Sequence, residues 1–333
     1  MQTTLYSAAD VRRHLSLGVA RDVVETTYLE AAQGRVLNPS KLTMRLGDDG
    51  AWPDRNAFAI DMPAYVGWLD VAGMKWAVAT WDAATDHPIS AQILLFDLDR
   101  GAFTAVLEGM YLTGVRTALQ SVVGLRHLAP GPVASVGVFG AGFQGKFQLR
   151  VIDALLEVEE FRLFDPDAER ARALSAAVEA EMAADVAVTD APTAAATDAV
   201  VTVTDAKTPV LEEAWLAEDA LIVALGTYRE LAAETVRAAT HVVVDHVEQC
   251  LQRGSLAALA ERDRFDAADI DATIGEVLDG AYDHSIAAAD RVVFVPIGLG
   301  ALDVAIAEHL HQTQRDNDDL QAFAFDATAG DRP

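Results

Sequence analysis

The feature that most constrains the fold is a glycine-rich turn directly after an apolar run. The run Val136-Gly137-Val138-Phe139 leads into Gly140-Ala141-Gly142-Phe143-Gln144-Gly145, and the chain then becomes helical. Alone, a Gly-x-Gly-x-x-Gly pattern is weak evidence, but between a strand and a helix it is typical of a dinucleotide-binding turn. The first glycine allows the tight turn, the second lets a pyrophosphate approach the helix N-terminus, and the third allows close packing of helix on strand. We predict that all six residues, Gly140 to Gly145, bind a dinucleotide cofactor.

The middle of the chain alternates short, Val-rich apolar runs with Ala- and Glu-rich helical stretches. Such runs are typical of parallel strands that are covered on both faces. They are Ala134–Phe139, Glu160–Phe164, Asp185–Val188, Ala199–Thr204, Ala220–Leu225 and His241–Asp245. The alternation indicates βαβ units. We therefore predict an α/β protein in which residues 118–304 form a Rossmann domain with a doubly wound sheet.

Residues 1–117 have a different pattern. A helical pattern over residues 8–32 is followed by apolar runs with strand spacing, and residues 96–101 form a hairpin signal. A late helical pattern at residues 301–312 is expected to pack back on this part of the chain. We predict a second, α+β domain made of residues 1–117 and 305–333.

An acidic residue at the end of the second strand bears on the choice of cofactor. Asp165 lies 20 residues after Gly145, where a carboxylate accepts hydrogen bonds from the adenosine ribose and repels a 2′-phosphate. This favours NAD over NADP. The alternative is that Asp165, followed by Pro166, simply begins a helix.

The charge of the chain excludes some partners. The formal net charge is -26, which repels nucleic acid and anionic membranes, so neither is expected as a partner. Lysine is scarce and occurs only at positions 41, 75, 146 and 207. Abundant acids with few lysines favour a protein that works in high salt, where screening reduces self-repulsion. The alternative is an acidic protein of ordinary salt.

Cysteine content and hydropathy bear on the compartment. The single cysteine, Cys250, cannot form a disulfide within the chain, which favours a reducing cytoplasm. The sequence has neither a signal-peptide pattern nor an uncharged apolar run of membrane-spanning length.

His309 and His311 would lie 200° apart on a helix, so they cannot share an ion and no metal site is expected.

Several segments together resemble the ornithine cyclodeaminase/mu-crystallin family, which includes archaeal-type alanine dehydrogenases and ketimine reductases. They keep the order of the family over about residues 40 to 305. Besides the glycine-rich turn, they are Met44-Arg45, Met62-Pro63-Ala64, Gly73-Met74-Lys75, residues 112–118 with Arg116-Thr117-Ala118, residues 198–204, and residues 298–303.

The resemblance implies a homodimer formed by the first domain, with an amino-acid or imino-acid substrate held between that domain and the nicotinamide. It implies that Arg45, Lys75 and Arg116 contact the substrate carboxylate. It also implies that further residues bind the cofactor. These are Arg116, Thr117, Thr202, Val203, Thr204, Leu225 and Gly226.

The chemistry of the three cations agrees with these roles. Arginine binds a carboxylate through two parallel hydrogen bonds. A reaction at a Cα–N bond passes through an iminium, so a proton must move on the amine or on water. A desolvated lysine beside two arginines has a lowered pKa that suits this task, and we predict that Lys75 is the catalytic acid/base.

The sequence also departs from the cyclodeaminases of this family. Their catalytic acid lies in a longer loop after the fifth strand, whereas the matching segment here, Ala224–Leu231, is shortened and lacks it. Where they hold the side-chain amine with an acid, this chain has Ile60, and Asp61 is expected on the opposite face of the strand. Their serine before the late glycine is replaced by Pro296.

These departures favour a simpler enzyme. We predict an NAD(H)-dependent oxidoreductase that acts on the Cα–N bond of a small 2-amino acid or its imine, of the alanine dehydrogenase or ketimine reductase type. One alternative is ornithine cyclodeaminase, which converts ornithine to proline and ammonia. Another is a non-catalytic protein of the mu-crystallin type that binds a dinucleotide and a ligand.

Overall fold

The computed structural model describes residues 2–47, 52–82, 88–262, 265–282, 285–315 and 317–325. The chain divides into two compact units. One is Met1–Thr113 with Leu299–Pro333, and the other is Gly114–Gly298. We call them the mixed-sheet unit and the parallel-sheet unit. The predicted boundaries were 117/118 and 304/305. The second would have cut the late helix, which begins at Gly300 and belongs whole to the mixed-sheet unit.

The mixed-sheet unit contains the elements from both ends of the chain. They are β1 (Thr3–Tyr6), α1 (Ala8–His14), α2 (Leu17–Ala32), β2 (Val36–Leu37), β3 (Leu42–Leu46), β4 (Ala57–Val66), β5 (Val71–Thr80), β6 (Ile89–Asp97), β7 (Ala102–Glu108), α11 (Gly300–Thr313) and β16 (Gln321–Phe323). The helix α3 (Met110–His127) begins here and continues into the other unit. The single helix expected over residues 8–32 is interrupted because Leu15 and Ser16 are extended, and α2 starts after Ser16.

The mixed sheet has the strand order β16-β1-β7-β6-β5-β4-β2, with β3 also pairing to β4. Its pairs are antiparallel except that β1 runs parallel to β7. The helix α11 packs on β4, β5 and β6, and also contacts α2. The contact is close because a Cβ at Gly73 would lie 2.9 Å from Val304. This packing confirms that the late helix returns to the first part of the chain.

The parallel-sheet unit alternates strands and helices. Its elements after α3 are β8 (Ser135–Phe139), α4 (Phe143–Leu155), β9 (Glu160–Phe164), α5 (Ala168–Val178), β10 (Asp185–Val188), α6 (Ala191–Ala195), β11 (Ala199–Thr202), β12 (Leu221–Ala224), α7 (Ala233–Arg237), β13 (His241–Val244), α8 (Val247–Gln252), α9 (Gly254–Arg262), β14 (Ala272–Thr273), α10 (Ile274–Asp279) and β15 (Val292–Val295).

The sheet of this unit has the order β10-β9-β8-β11-β12-β15-β13-β14, and all of its pairs are parallel. The central strands β11, β12, β13 and β15 are buried along their whole length. Burial of every residue is expected for parallel strands, which are covered on both faces. The predicted α/β fold with a Rossmann-like doubly wound sheet is confirmed. Within the described residues, no helix is both long and apolar enough to cross a membrane.

Candidate active site

The glycine-rich turn joins β8 to α4 and has the geometry expected of a cradle for an anionic group. Gly140 has φ +113°, and a Cβ there would lie 2.8 Å from the carbonyl oxygen of Val203. A Cβ at Gly145 would lie 2.0 Å from the carbonyl oxygen of Gly140, so only glycine allows α4 to sit this close. A Cβ at Gly142 would have no described atom within 4 Å, which leaves room for a ligand at the start of α4.

The donors at this turn match a pyrophosphate. The helix α4 begins at Phe143 after Gly142, and no side chain caps it, so its first backbone N–H groups are available to a ligand. A helix N-terminus with free N–H groups and open space in front of it suits a negatively charged phosphate group. The geometry of the turn therefore fits a dinucleotide, and the binding roles of the six residues stay predictions.

Asp165 lies directly after β9 with a nearly buried side chain, and its carboxylate is held by backbone groups. Its Oδ2 accepts a hydrogen bond from the N–H of Ala141 at 2.9 Å, and its Oδ1 accepts one from the N–H of Asp167 at 2.9 Å. The residue that caps α5 is Asp167, so the alternative that Asp165 begins that helix is wrong. Asp165 instead joins the end of β9 to the glycine-rich turn.

A carboxylate that the sequence analysis overlooked lies at the ends of β11 and β12. Glu230 is fully buried and accepts hydrogen bonds from the Thr202 hydroxyl (2.7 Å) and from the Thr204 N–H (2.6 Å) and hydroxyl (2.7 Å). It also accepts one from the N–H of Gly226 at 2.7 Å. Burial raises the pKa of Glu230, while these hydrogen bonds lower it. Glu230 thus fixes the two segments that contain Thr202, Val203, Thr204, Leu225 and Gly226.

The signal for Glu230 was present in the sequence. It is the only acid in the segment Ala224–Leu231, where cyclodeaminases of the family have their catalytic carboxylate. In the structure its oxygens are occupied by the strand ends, and a Cβ at Gly226 would lie 2.2 Å from its carboxyl carbon. Glu230 therefore has a structural role at this edge of the sheet.

Arg116 and Thr117 are buried on α3, and Arg116 is part of a polar network. Its Nη1 donates to Gln120 Oε1 at 2.9 Å, and Gln120 Nε2 donates to Asp245 Oδ2 at 3.3 Å. Asp245 follows β13 and accepts hydrogen bonds from the backbone N–H groups of Ile297 (3.1 Å) and Gly298 (2.6 Å). Neither Gln120 nor Asp245 was predicted, although Gln120 lies one helical turn after Arg116, at a spacing that places them on one face.

In the mixed-sheet unit, Lys75 lies in the middle of β5 and is almost completely buried. Its Nζ is 2.9 Å from Asp303 Oδ2, in the first turn of α11, and 3.2 Å from the Thr113 hydroxyl oxygen. Asp303 has no exposed surface in the structure. The sequence motifs placed only cationic neighbours, Arg45 and Arg116, beside Lys75. A carboxylate at this distance stabilises the ammonium form, so Lys75 and Asp303 form a buried ion pair.

The strand register relates Arg45 to this pair. Arg45 on β3 pairs with Phe58 on β4, and Lys75 on β5 pairs with Met62. Phe58 and Met62 are four residues apart on one strand, so their side chains point to the same face of the sheet. Residues that pair directly on neighbouring strands also point to the same face. Arg45 and Lys75 therefore lie on the same face of the mixed sheet. Arg45 is exposed, whereas Lys75 is covered.

With this geometry, comparison with known proteins gives a clear assignment. A model of the ornithine cyclodeaminase/mu-crystallin family matches residues 1–318. The chain belongs to this family. It is 26% identical over 327 residues to alanine dehydrogenase of Archaeoglobus fulgidus, covering 94% of this chain and 95% of that one. It is 28% identical to a delta(1)-pyrroline-2-carboxylate reductase of Bacillus cereus, covering 76% and 81%.

A solved structure of a family member is similar over nearly the whole chain. An archaeal alanine dehydrogenase dimer with bound NAD superposes with a TM-score of 0.88 at 25% identity, covering 98% of this chain and 100% of that one. The resemblance to the ornithine cyclodeaminase/mu-crystallin family that the motifs indicated is thus confirmed, and the Rossmann-like fold agrees with it.

Within this family, position 60 was singled out because cyclodeaminases have an acid there. Ile60 pairs with Ala77, two residues from Lys75 on β5, so position 60 is on the same face as Lys75. Asp61 pairs with Trp76 and points to the opposite face. The register therefore agrees with the expectation that Asp61 does not replace the missing acid.

Proposed function

We propose that this chain is an NAD(H)-dependent oxidoreductase that acts on the Cα–N bond of a small 2-amino acid or its imine. The observation that carries the proposal is a buried lysine, Lys75, 2.9 Å from Asp303 in a family member whose glycine-rich turn fits a dinucleotide. The relatives named alanine dehydrogenase and pyrroline-2-carboxylate reductase support the reaction class. An enzyme of the alanine dehydrogenase or ketimine reductase type is therefore our first choice.

Each candidate residue has a proposed role. Arg45 and Arg116 bind the substrate carboxylate, because guanidinium groups match carboxylates in shape and charge. Lys75 also contacts the substrate and moves a proton at its nitrogen or at the attacking water. Asp303 holds Lys75 in its charged form between turnovers, so that Lys75 begins the imine-reducing direction as an acid.

We propose NAD rather than NADP as the cofactor, which supplies or accepts a hydride when bound. The turn from Gly140 to Gly145 would hold its pyrophosphate, and the segments tied by Glu230 would line the rest of it, with Arg116 and Thr117. Asp165 supports the choice of NAD, because each of its oxygens has a lone pair beyond the backbone hydrogen bond that it accepts. A ribose hydroxyl can use these positions, whereas a 2′-phosphate would be repelled.

The experiment is NADH oxidation at high KCl, with ammonia plus pyruvate in one assay and a cyclic imino acid in another. Turnover that is abolished by Lys75→Ala would support the proposal, and the preferred acceptor would distinguish alanine dehydrogenase from ketimine reductase. Proline formed from ornithine would support a cyclodeaminase instead. That result would mean that the apolar Ile60 does not prevent binding of the ornithine side-chain amine. Tight NADH binding without any turnover would support a binding protein of the mu-crystallin type.

We also propose a homodimer formed by the mixed-sheet unit. Opposite the face that holds Lys75, this sheet exposes large apolar side chains, among them Leu42, Met44 and Trp76. Several exposed large apolar side chains on one face of a sheet support an interface there. Light scattering on the wild type and on Trp76→Glu tests this, because a charge at the interface should give monomers. A wild-type monomer would exclude it.

The working conditions are proposed from composition. A net charge of -26 with four lysines supports a cytoplasm of high salt, in which self-repulsion is screened. The one cysteine, Cys250, is buried, as expected of a structural residue in a reducing compartment. Thermal unfolding across a KCl series tests the salt requirement. Full stability in dilute buffer would favour an acidic protein of ordinary salt.

A further inference from the structure

The hydrogen bonds of the buried network around Arg116 run in one direction, from donor to acceptor. Arg116 can only donate hydrogen bonds, and its Nη1 meets the carbonyl end of the Gln120 amide at 2.9 Å. The amino end of the same amide meets Asp245 Oδ2 at 3.3 Å. A carboxylate can only accept, so the amide cannot turn over without placing its carbonyl against Asp245 and its NH2 against Arg116. Asp245 thereby fixes which end of Gln120 faces the guanidinium.

Asp245 is itself held in place by groups of the sheet edge. Its two oxygens accept backbone N–H groups from Ile297 and Gly298, which follow β15, the strand next to β13. Its Oδ1 also accepts a weak hydrogen bond from the Cys250 thiol at 3.4 Å. The hydrogen-bonded chain therefore runs from rigid backbone through Asp245 and Gln120 to the guanidinium of Arg116.

The surroundings leave Arg116 little freedom. A Cβ at Gly298 would lie 2.5 Å from its Nη1, so the turn held by Asp245 also packs directly on the guanidinium. Gln120 is fully buried, and Arg116 is exposed by only 7%. Lining up a planar guanidinium with a planar carboxylate needs this kind of restraint, because two parallel hydrogen bonds tolerate little rotation.

We propose that Gln120 and Asp245 are positioning residues for Arg116, which hold its guanidinium in the orientation that binds ligand. This inference rests on the proposed function, in which Arg116 contacts the substrate carboxylate and lies close to the cofactor. Neither positioning residue is proposed to touch the reacting atoms. On this proposal, the loss of either residue weakens ligand binding through Arg116.

The first test is Gln120→Met, which keeps the length of the side chain and removes both hydrogen bonds. Hydrogen bonds to charged groups correspond to about a 10- to 100-fold change in binding, so we expect KM for the imino acid to rise by about that factor, with a smaller change in kcat. The dissociation constant of NADH, measured by its fluorescence, should rise in the same direction and does not need turnover.

The matched control is Gln148→Met. Gln148 is equally buried, on α4 of the same unit, and its side-chain amide has no hydrogen-bond partner among the described residues. This variant reports the general effect of removing a buried glutamine. If Gln120→Met and Gln148→Met change KM and NADH binding equally, the proposal is overturned.

A double-mutant cycle separates positioning from a merely structural role. In an Arg116→Met background no group is left that donates to Gln120, so Gln120→Met should add less than about a threefold change in KM or in NADH binding. The same loss in both backgrounds would overturn the proposal, because Gln120 would then act independently of Arg116. Asp245→Asn gives a second cycle should Gln120→Met fail to fold, as circular dichroism would reveal.

The wild type distinguishes failure of this inference from failure of the proposed function. A wild type that neither binds NADH nor reduces an imine would overturn both. A wild type that binds NADH without turnover would overturn the proposed reaction, and the NADH arm of the cycle would still decide the role of Gln120. Normal wild-type turnover with an unaffected Gln120→Met would overturn the positioning role alone.

Discussion

The two units stabilise their buried carboxylates in different ways. In the mixed-sheet unit, Asp303 faces the ammonium of Lys75 at 2.9 Å in the middle of a sheet face. In the parallel-sheet unit, Asp165, Glu230 and Asp245 lie at strand ends, and each accepts backbone N–H groups from a neighbouring loop. The difference supports the proposal that the first carboxylate holds a positive charge on Lys75 for catalysis, whereas the others fix the loops at the strand ends.

The largest expected effect comes from breaking the ion pair. Lys75→Met leaves Asp303 buried beside an apolar side chain, and losing one partner of a buried pair costs about 3–5 kcal/mol. Turnover should fall by about 10²–10⁴-fold, the usual contribution of an acid/base group. Urea unfolding and the NADH assay measure the two effects.

The double variant Lys75→Met/Asp303→Leu is the control for this prediction. Replacing a buried ion pair by apolar residues is often neutral, so stability should return while turnover stays lost. A single Lys75→Met variant as stable as the wild type would contradict the view that Asp303 depends on Lys75.

The second prediction concerns the glycine-rich turn of the parallel-sheet unit. It compares substitutions at two glycines of this turn, Gly145 and Gly142. In Gly145→Ala the new Cβ would lie 2.0 Å from the Gly140 carbonyl oxygen, so the turn or α4 must move, at a cost of about 1–3 kcal/mol. In Gly142→Ala the Cβ meets no described atom within 4 Å, and φ is -87°, so stability should not change.

The two glycine variants should also differ in how they affect binding. Both should weaken NADH binding, Gly145→Ala by distorting the turn and Gly142→Ala by placing a methyl group where the pyrophosphate is expected. Thermal unfolding and NADH fluorescence measure the pair. Unchanged NADH binding in Gly142→Ala would place the cofactor elsewhere.

The third prediction concerns Glu230, the carboxylate held by neutral donors. Glu230→Gln keeps the size but offers one acceptor oxygen, so the N–H of Thr204 or of Gly226 loses its partner, at a cost of about 1–2 kcal/mol. The loss is smaller than for Lys75→Met because no charge is left unpaired. Urea unfolding checks it, and Glu234→Gln, on α7 of the same unit, is a surface control. A loss as large as that of Lys75→Met would contradict the contrast between the two units.

The sequence predicted the parallel-sheet unit well because local signals determine it. The glycine-rich turn and the Val-rich runs mark each strand, and β9 and β10 have the predicted bounds. Asp245 gave no motif, because Gln120 lies 125 residues away and its backbone partner Gly298 lies 53 residues away. Gln120 and Glu230 each have one partner four residues away, but no family motif includes either residue. The Lys75–Asp303 pair joins residues from opposite ends of the chain, and no local pattern relates them.

The last prediction concerns a neutral buried pair in the mixed-sheet unit, whose contribution is seen only at acidic pH. Tyr6 Oη and His311 Nδ1 are 2.9 Å apart, and burial lowers the pKa of His311 from 6.5 to about 4. Between these values the unfolded chain binds a proton that the folded protein does not. The free energy of unfolding should therefore fall as the pH drops from about 6.5 to about 4, by about 1–2 kcal/mol at pH 5.

His311→Asn isolates this contribution, because its amide oxygen can still accept the Tyr6 hydroxyl hydrogen bond but does not titrate. The variant should resemble the wild type near pH 7.5 and lose less stability toward pH 5, as measured by urea unfolding at several pH values. His309→Asn, on the same helix and less buried, should keep the wild-type slope. Equal slopes in all three proteins would mean that His311 does not stay neutral in the fold. The pair of Tyr6 and His311 would then no longer be a neutral contrast to the ion pair of Lys75 and Asp303.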